Sequence, residues 1–301
     1  IRERGDYQKK PGDYRKAEEL FRRVHEDYRE NYLPGYTAYG RAYFDMKEYS
    51  HSLDKLNRAF EIDPRDPEVL NGLGYYYSRV PNEYYRSIKG SVNRWYYKGK
   101  KPEMAQQPQL EVAINFYKMV LQRDKENVTA LFGIGNAYFH QGEYLKAKKF
   151  YEDILKVDPD SPIGYAGLMN LYVERDSFPQ VASLHAEIRE KELMPELPSA
   201  LLGKLAEYYL SKRRSEDSSV RIDYGVKSPR IIDDEDNTYP AVRSVLKDLA
   251  KRDPDYPPLQ VHWARFNRAQ KNYALMEKYL QKAIDLSPNY FGALHLLGEY
   301  H

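Results

Sequence analysis

The chain says nearly the same thing twice. "GRAYFDMKEYSHS" (Gly40–Ser52) and "GNAYFHQGEYLKA" (Gly135–Ala147) share Gly, Ala-Tyr-Phe and Glu-Tyr at one spacing, 95 residues apart. The prolines keep the same step. Pro64, Pro159 and Pro254 are each 95 residues apart, and Pro288 follows Pro254 by 34. Two 34-residue repeats and 27 further residues make up the 95. Self-similarity at this period constrains the fold more than any other feature, because each repeat must bury its apolar face on the next one along.

The repeat from Leu33 to Asp66 carries Tyr36, Tyr39, Gly40, Tyr43, Ser52, Leu56, Ala59 and Pro64. The repeat from Val128 to Ser161 carries Leu131, Ile134, Gly135, Tyr138, Ala147, Tyr151, Ile154 and Pro159. Apolar residues three and four apart make one stripe on each of two helices. The glycine and the small residue let those helices approach closely. Asp-Pro closes the second helix, since proline has no N–H and disfavours a helical residue before it. The pattern of large residue, Leu, Gly and Tyr, then Ala, Phe, Ala and Pro, resembles the tetratricopeptide repeat (TPR) family. That resemblance implies an all-α, TPR-type α-solenoid, a right-handed superhelix of helix pairs, here with two insertions.

The other repeats match less completely. Asp13, Tyr14, Ala17, Phe21 and Val24 look like a second helix whose first is missing. Leu70, Leu73, Gly74 and Tyr77 begin a repeat that resumes at Ala113, Tyr117 and Val120. Tyr165, Leu168 and Tyr172 begin another, with Met169 in the glycine's place and Val181 and Ile188 behind. Leu201, Leu205 and Tyr208 begin a fifth, resumed at Val242, Leu246 and Leu249, and Trp263 to Pro288 make a sixth. Residues 1–301 thus read as a single solenoid that breaks inside a repeat at both ends, and the native protein is expected to continue.

Composition narrows the chemistry. The chain has 47 basic and 45 acidic side chains, net +2, so no global phosphate-binding surface is implied and nucleic acid is an unlikely partner. It has no cysteine, which excludes thiol catalysis, Cys-zinc sites and disulfides. Its 30 tyrosines supply large apolar area with a polar tip, suited to half-buried helix faces or aromatic anchors. No phosphate loop, G-x-S-x-G or H-E-x-x-H is present, and the seven histidines are scattered. The expectation is a chain with no catalytic residues, no metal, no cofactor and no small-molecule substrate.

The first insertion, 79–107, reads as an extra helix with Tyr84, Ile88, Val92, Trp95 and Tyr96 at helical spacing. Seven basic residues and one acidic residue lie between Arg79 and Lys101, making Arg94, Trp95, Lys98, Lys100 and Lys101 a candidate basic docking surface. The second insertion, 211–240, is polar and carries the acidic run Asp233–Asp236. It reads as a surface loop, since the Gly and the later Glu of a calcium loop are missing.

The family resemblance implies that the first helix of each repeat lines a concave groove. The second, fifth, ninth and twelfth positions of each repeat would face it. These place Thr37, Arg41, Phe44, Asn71, Tyr75, Phe132, Asn136, Phe139, Ala166, Asn170, Val173, Leu202, Tyr209, Val261, Arg265 and Arg268 on the groove. The set proposed to bind is Arg41, Phe44, Asn71, Tyr75, Phe132, Asn136, Phe139 and Asn170. An Asn amide both donates to and accepts from a peptide backbone, and Phe and Tyr offer anchor area. Replacing Asn136 and Asn170 by Ala should then spare the fold. The carboxylate clamp of chaperone-tail binders is absent, because Phe132, Ser199 and Gly203 stand where its basic residues belong.

The function expected is a non-catalytic scaffold for a protein or peptide partner, touching membranes only indirectly, with homo-oligomerisation left open. The rivals are a regulatory or substrate-guiding arm of a larger enzyme, or an assembly part of a bacterial envelope, secretion or motility structure. The bacterial periplasm or envelope is favoured over the cytoplasm.

Overall fold

The computed structural model describes residues 32–88, 108–212 and 238–300, with Glu19 and Arg23. The described residues are helical, and their helices alternate as first and second members of hairpins. They run α1 (Leu33–Asp45), α2 (Tyr49–Ile62), α3 (Pro67–Arg79), α4 (Asn82–Ile88), α5 (Pro108–Leu121), α6 (Val128–His140) and α7 (Tyr144–Val157). There follow α8 (Pro162–Glu174), α9 (Phe178–Glu190), α10 (Ser199–Lys212), α11 (Thr238–Arg252), α12 (Pro257–Ala269), α13 (Tyr273–Leu286) and α14 (Phe291–Gly298). Cα packing groups the described residues into two compact bodies, an N-terminal one up to Gly167 and a C-terminal one from Leu168, and the division falls inside α8.

The helix ends follow the local chemistry. Asp66 accepts from the Val69 amide at 2.9 Å, and Asn127 accepts from the Ala130 amide at 3.1 Å, so α3 and α6 start on side-chain caps. At the other end, Asp63 and Asp158 are extended, with φ of −140° and −134°, directly before Pro64 and Pro159. The Asp-Pro stops therefore act as their sequence suggests. First helices begin at 33 and 67, at 128 and 162, and at 257 and 291, each time 34 residues apart. The turn between the two helices of a repeat has its own signature. Lys47, Gly142, Asp176 and Lys271 all have positive φ (65°, 76°, 54° and 60°) at one position of the repeat. Only Gly142 does so without a side-chain penalty.

Both interrupted repeats close as hairpins. In the N-terminal body α3 packs along α5, and in the C-terminal body α10 packs along α11. The start of the first insertion joins the N-terminal core: Tyr85 of α4 is buried edge-on to Tyr77 at 6.2 Å, and Tyr84 lies 5.4 Å from Tyr49. The rest of that insertion, including Arg94, Trp95, Lys98, Lys100 and Lys101, lies outside the described residues. So do the helix expected around Ala17 and most of the second insertion.

The tyrosines are mainly structural. Tyr76, Tyr77, Tyr85, Tyr151, Tyr165 and Tyr209 are among the largest fully buried side chains. Burying such a ring stabilises by about 1.5–3 kcal/mol. Three of the second-helix side chains in the N-terminal body are knobs held between two glycines. Leu56 sits between Gly40 and Gly72, Tyr117 between Gly74 and Gly133, and Tyr151 between Gly135 and Gly167. A Cβ at Gly135 would stand 2.6 Å from the Tyr151 ring, and one at Gly167 2.5 Å. The first glycine of each pair belongs to the knob's own repeat and the second to the next. The glycines are thus required by close approach from both sides.

Candidate functional site

In the N-terminal body the first helices α1, α3 and α6 present the candidate residues. Their ninth positions are open. Arg41, Tyr75 and Asn136 are all half-buried, with part of each side chain in solvent. Their fifth positions are not equivalent to this. Thr37 is buried, its hydroxyl donating to the Pro34 carbonyl at 3.0 Å, and Asn71 is buried too. The Asn71 amide reaches the Asn127 side chain at 3.4 Å, at the cap of α6. Asn71 is therefore part of the contact between first helices and does not line an open groove, which corrects the expectation. The physical reason is that α1 packs on α3 and α3 on α6, which covers the fifth positions of α1 and α3, while Phe132 at that position of α6 stays half-buried. In the C-terminal body Val173, Leu202, Tyr209 and Val261 are buried as well, as is Ala166 in the N-terminal one.

The aromatic residues are partly committed to packing. Phe44 lies edge-on to Tyr75 at 5.3 Å and to Tyr76 at 5.7 Å. Phe132 tilts against Tyr151 at 6.0 Å, and Phe139 is edge-on to Tyr144 at 5.7 Å. All three remain half-buried rather than buried.

The knobs supply what the sequence did not reveal. Tyr151 passes between Gly135 and Gly167, and its hydroxyl donates to Asn136 Oδ1 at 2.8 Å. Burial raises the Tyr151 pKa, so the group stays a donor. Asn136 is thereby oriented, its carbonyl engaged from behind and its amide left to act as a donor. Tyr117 passes between α3 and α6 in the same way, and Ser78 and the charges of Arg79 and Arg41 act on its own hydroxyl. Burial pushes Tyr117 up to about 12, against the pull of Ser78 and the two guanidinium groups. Arg79 stacks 4.5 Å from the Tyr75 ring centre and donates to its hydroxyl at 3.2 Å. Burial and the Arg79 charge lower the pKa of His140. Neither Arg41 nor Arg79 has a carboxylate partner among the described residues. The face is aromatic and cationic.

The corresponding face of the C-terminal body is charged and self-paired. Asn170 accepts from Lys204 at 2.8 Å, and Lys204 also pairs with Glu174 at 2.9 Å. Arg268 pairs with Glu299 at 2.8 Å, Arg265 pairs with Glu207, and His262 stands 3.2 Å from Glu207. His262 and then Arg265 hold the Glu207 carboxyl below the usual carboxylate range. Glu207, Arg265, Arg268 and Glu299 border a pocket of about 310 Å³ between α10, α12 and α14. Among the described residues there is no cluster of potential metal ligands, and no helix is long and apolar enough to cross a membrane.

Models of the tetratricopeptide repeat match residues 40–80, 104–172 and 263–290. These three stretches are tetratricopeptide repeats. Solved TPR structures and their kin resemble the chain in fold. The Cut9–Hcn1 hetero-tetramer of the APC/C superposes with a TM-score of 0.58 at 13% identity, over 96% of this chain and 46% of that one. A tetratricopeptide repeat protein from Parabacteroides merdae gives 0.55 at 16% identity, over 95% and 92%. PilF of Pseudomonas aeruginosa gives 0.53 at 12% identity, over 89% and 97%. Among curated proteins, human protein O-mannosyl-transferase TMTC1 is 22% identical over 131 residues, which are 44% of this chain and 12% of that protein. The mouse TMTC1 match is 23% identical over 118 residues and spans 10% of that protein. This TPR chain thus covers only a small part of the curated relatives it matches.

Proposed function

We propose that this TPR protein is a non-catalytic scaffold that holds an extended segment of a partner protein against the first helices of its N-terminal body. The observation that carries this reading is the pre-oriented donor at Asn136, set by Tyr151 and flanked by Phe132 and Phe139. A peptide carbonyl accepts from that amide, and the half-buried rings take apolar side chains. Arg41 and Arg79, without acidic partners among the described residues, favour a segment that carries carboxylates. The C-terminal face, already neutralised by its own ion pairs, offers less to such a ligand.

The test is affinity capture by the full-length protein and by an Arg41→Gln/Arg79→Gln variant with the same melting temperature. Loss of the captured partner from the variant supports the inner face. Retention of every partner overturns it. Loss instead on replacing Arg94, Lys98, Lys100 and Lys101 would transfer the function to the basic insertion.

A second reading is that the repeats are the substrate-guiding arm of a larger enzyme. The partial match to a protein O-mannosyl-transferase favours it, since the matched stretch is a small fraction of that protein. The sequence of the uninterrupted gene product decides it: a catalytic domain joined to these repeats would support the arm.

A further inference from the structure

On the C-terminal body, away from the first-helix face, a cleft of about 530 Å³ lies between α9, α11 and the end of α12. α11 contributes Arg243, Lys247 and Lys251, four residues apart and therefore on one side of the helix. Like charges at that spacing repel and weaken a helix. Elsewhere the protein pairs its helix lysines with carboxylates. On α7, Lys146 pairs with Glu143, Lys148 with Glu152 and Lys156 with Asp153. On α11 the one carboxylate in the cleft, Asp248, is turned to Arg189 of α9 at 3.0 Å, with Lys251 at 3.8 Å. Arg189 is also held by the Ser244 hydroxyl. Arg243 and Lys247 are exposed and have no acidic partner among the described residues.

The floor is rigid. Phe266 is buried, and Tyr239 stands edge-on to it at 5.6 Å, its hydroxyl donating to the Ala269 carbonyl at 2.7 Å. Four cations against one carboxylate leave an excess of three positive charges around one concavity. Two guanidinium groups and two ammonium groups offer more donors than a single carboxylate can use. They suit the three acceptor oxygens of a phosphate dianion. The volume lies within the usual range of small-molecule sites. The cationic row runs only from 243 to 251, on the order of 12 Å of helix, and is short for a polyanion track.

We propose that this cleft binds a phosphate monoester, with Arg243 and Lys247 gripping the phosphate and Arg189 braced behind them by Asp248 and Ser244. The site is independent of the first-helix face. The test is calorimetric titration of the full chain at low ionic strength with a phosphoserine peptide, glucose 6-phosphate and inorganic phosphate. Saturable, salt-sensitive binding of a monoester is expected, weakened about tenfold by Arg243→Gln and further by adding Lys247→Gln. Both side chains are exposed, so the melting temperature should hold. Lys156→Gln, exposed on α7 of the other body, should bind as the parent does. Stronger binding of the peptide assigns a protein-borne phosphate, and stronger binding of the sugar phosphate a small molecule. Absence of saturable binding, indifference to Arg243→Gln/Lys247→Gln, or equal affinity for inorganic phosphate overturns the proposal.

Discussion

Tyr151 and Asn136 form a hydrogen bond of 2.8 Å that ties a buried second-helix ring to the open first-helix face. The same contact belongs to the core and to the candidate site. Asn136→Ala would leave the buried hydroxyl without its acceptor, at a cost of about 1–3 kcal/mol. Tyr151→Phe removes the donor as well and should cost only about 0.5–1.5 kcal/mol. Urea unfolding of both single variants and the double one tests this, with the double variant expected to fall short of the sum. A neutral Asn136→Ala would mean that the bond does not hold the ring.

The glycine seams predict a second set of melts. Gly133 faces the Tyr117 ring even more closely than Gly135 faces Tyr151. Gly133→Ala should destabilise by about 1–3 kcal/mol through overpacking. Gly298→Ala, with nothing near its would-be Cβ, is the matched control and should be close to neutral. Pairing Gly133→Ala with Tyr117→Leu should recover part of the loss if the clash is with that ring.

The turns predict a gain. Lys271 holds φ at 60° in the tight turn between α12 and α13, where Gly142 serves the equivalent turn between α6 and α7. Lys271→Gly should stabilise by roughly 0.5–1 kcal/mol, as the left-handed penalty outweighs the extra freedom of the unfolded glycine. Lys47→Gly should do the same. A lower melting temperature in both variants would count against this reading.

His185 predicts acid sensitivity. It is fully buried, its Nδ1 2.9 Å from the Tyr209 hydroxyl, and burial and then Arg189 push its pKa down to about 3. In the unfolded chain it titrates near ~6.5. The folded value is depressed, so the stability contribution is complete above ~6.5 and lost as the pH falls toward the folded value, at about 1.4 kcal/mol per pH unit. Denaturation midpoints at neutral and mildly acidic pH should diverge in the parent and much less in His185→Gln. Equal divergence in both would assign the acid loss to other groups.

The sequence showed the hairpins because their marks are local. Asp63-Pro64 and Asp158-Pro159 each stop a second helix, and Gly40, Gly74 and Gly135 announce close approach by their register. It also located where the interrupted repeats resume, at Val242 and Ala113, from the apolar stripe alone. The face was less legible. A one-helix pattern tells which residues point away from the partner helix, yet Asn71 and Val261 are buried by a neighbouring first helix, which no single-helix periodicity reports. Tyr151 and Tyr117 read as ordinary core residues, and only their place between two glycines shows where the hydroxyls emerge. Gly72, Gly133 and Gly167 were the available signal. The positive φ of Lys47 and Lys271 had none, since nothing in a lysine marks a left-handed turn.

Both insertions interrupt the turn between the two helices of one repeat. The turn between α1 and α2 is three residues long, whereas 28 residues separate α3 from α5 and 25 separate α10 from α11. Because loop-closure entropy grows with the logarithm of length, connections this long raise the closure cost of those hairpins by up to roughly 2 kcal/mol each. The order of assembly follows. α1 with α2, α6 with α7, and α12 with α13 meet through local contacts and can form early. The interrupted pairs must wait for distant partners to find each other, as non-local contacts slow folding. The glycine-flanked Tyr117 seam, joined across residues 80–107, is therefore expected to close after the hairpins with three-residue turns.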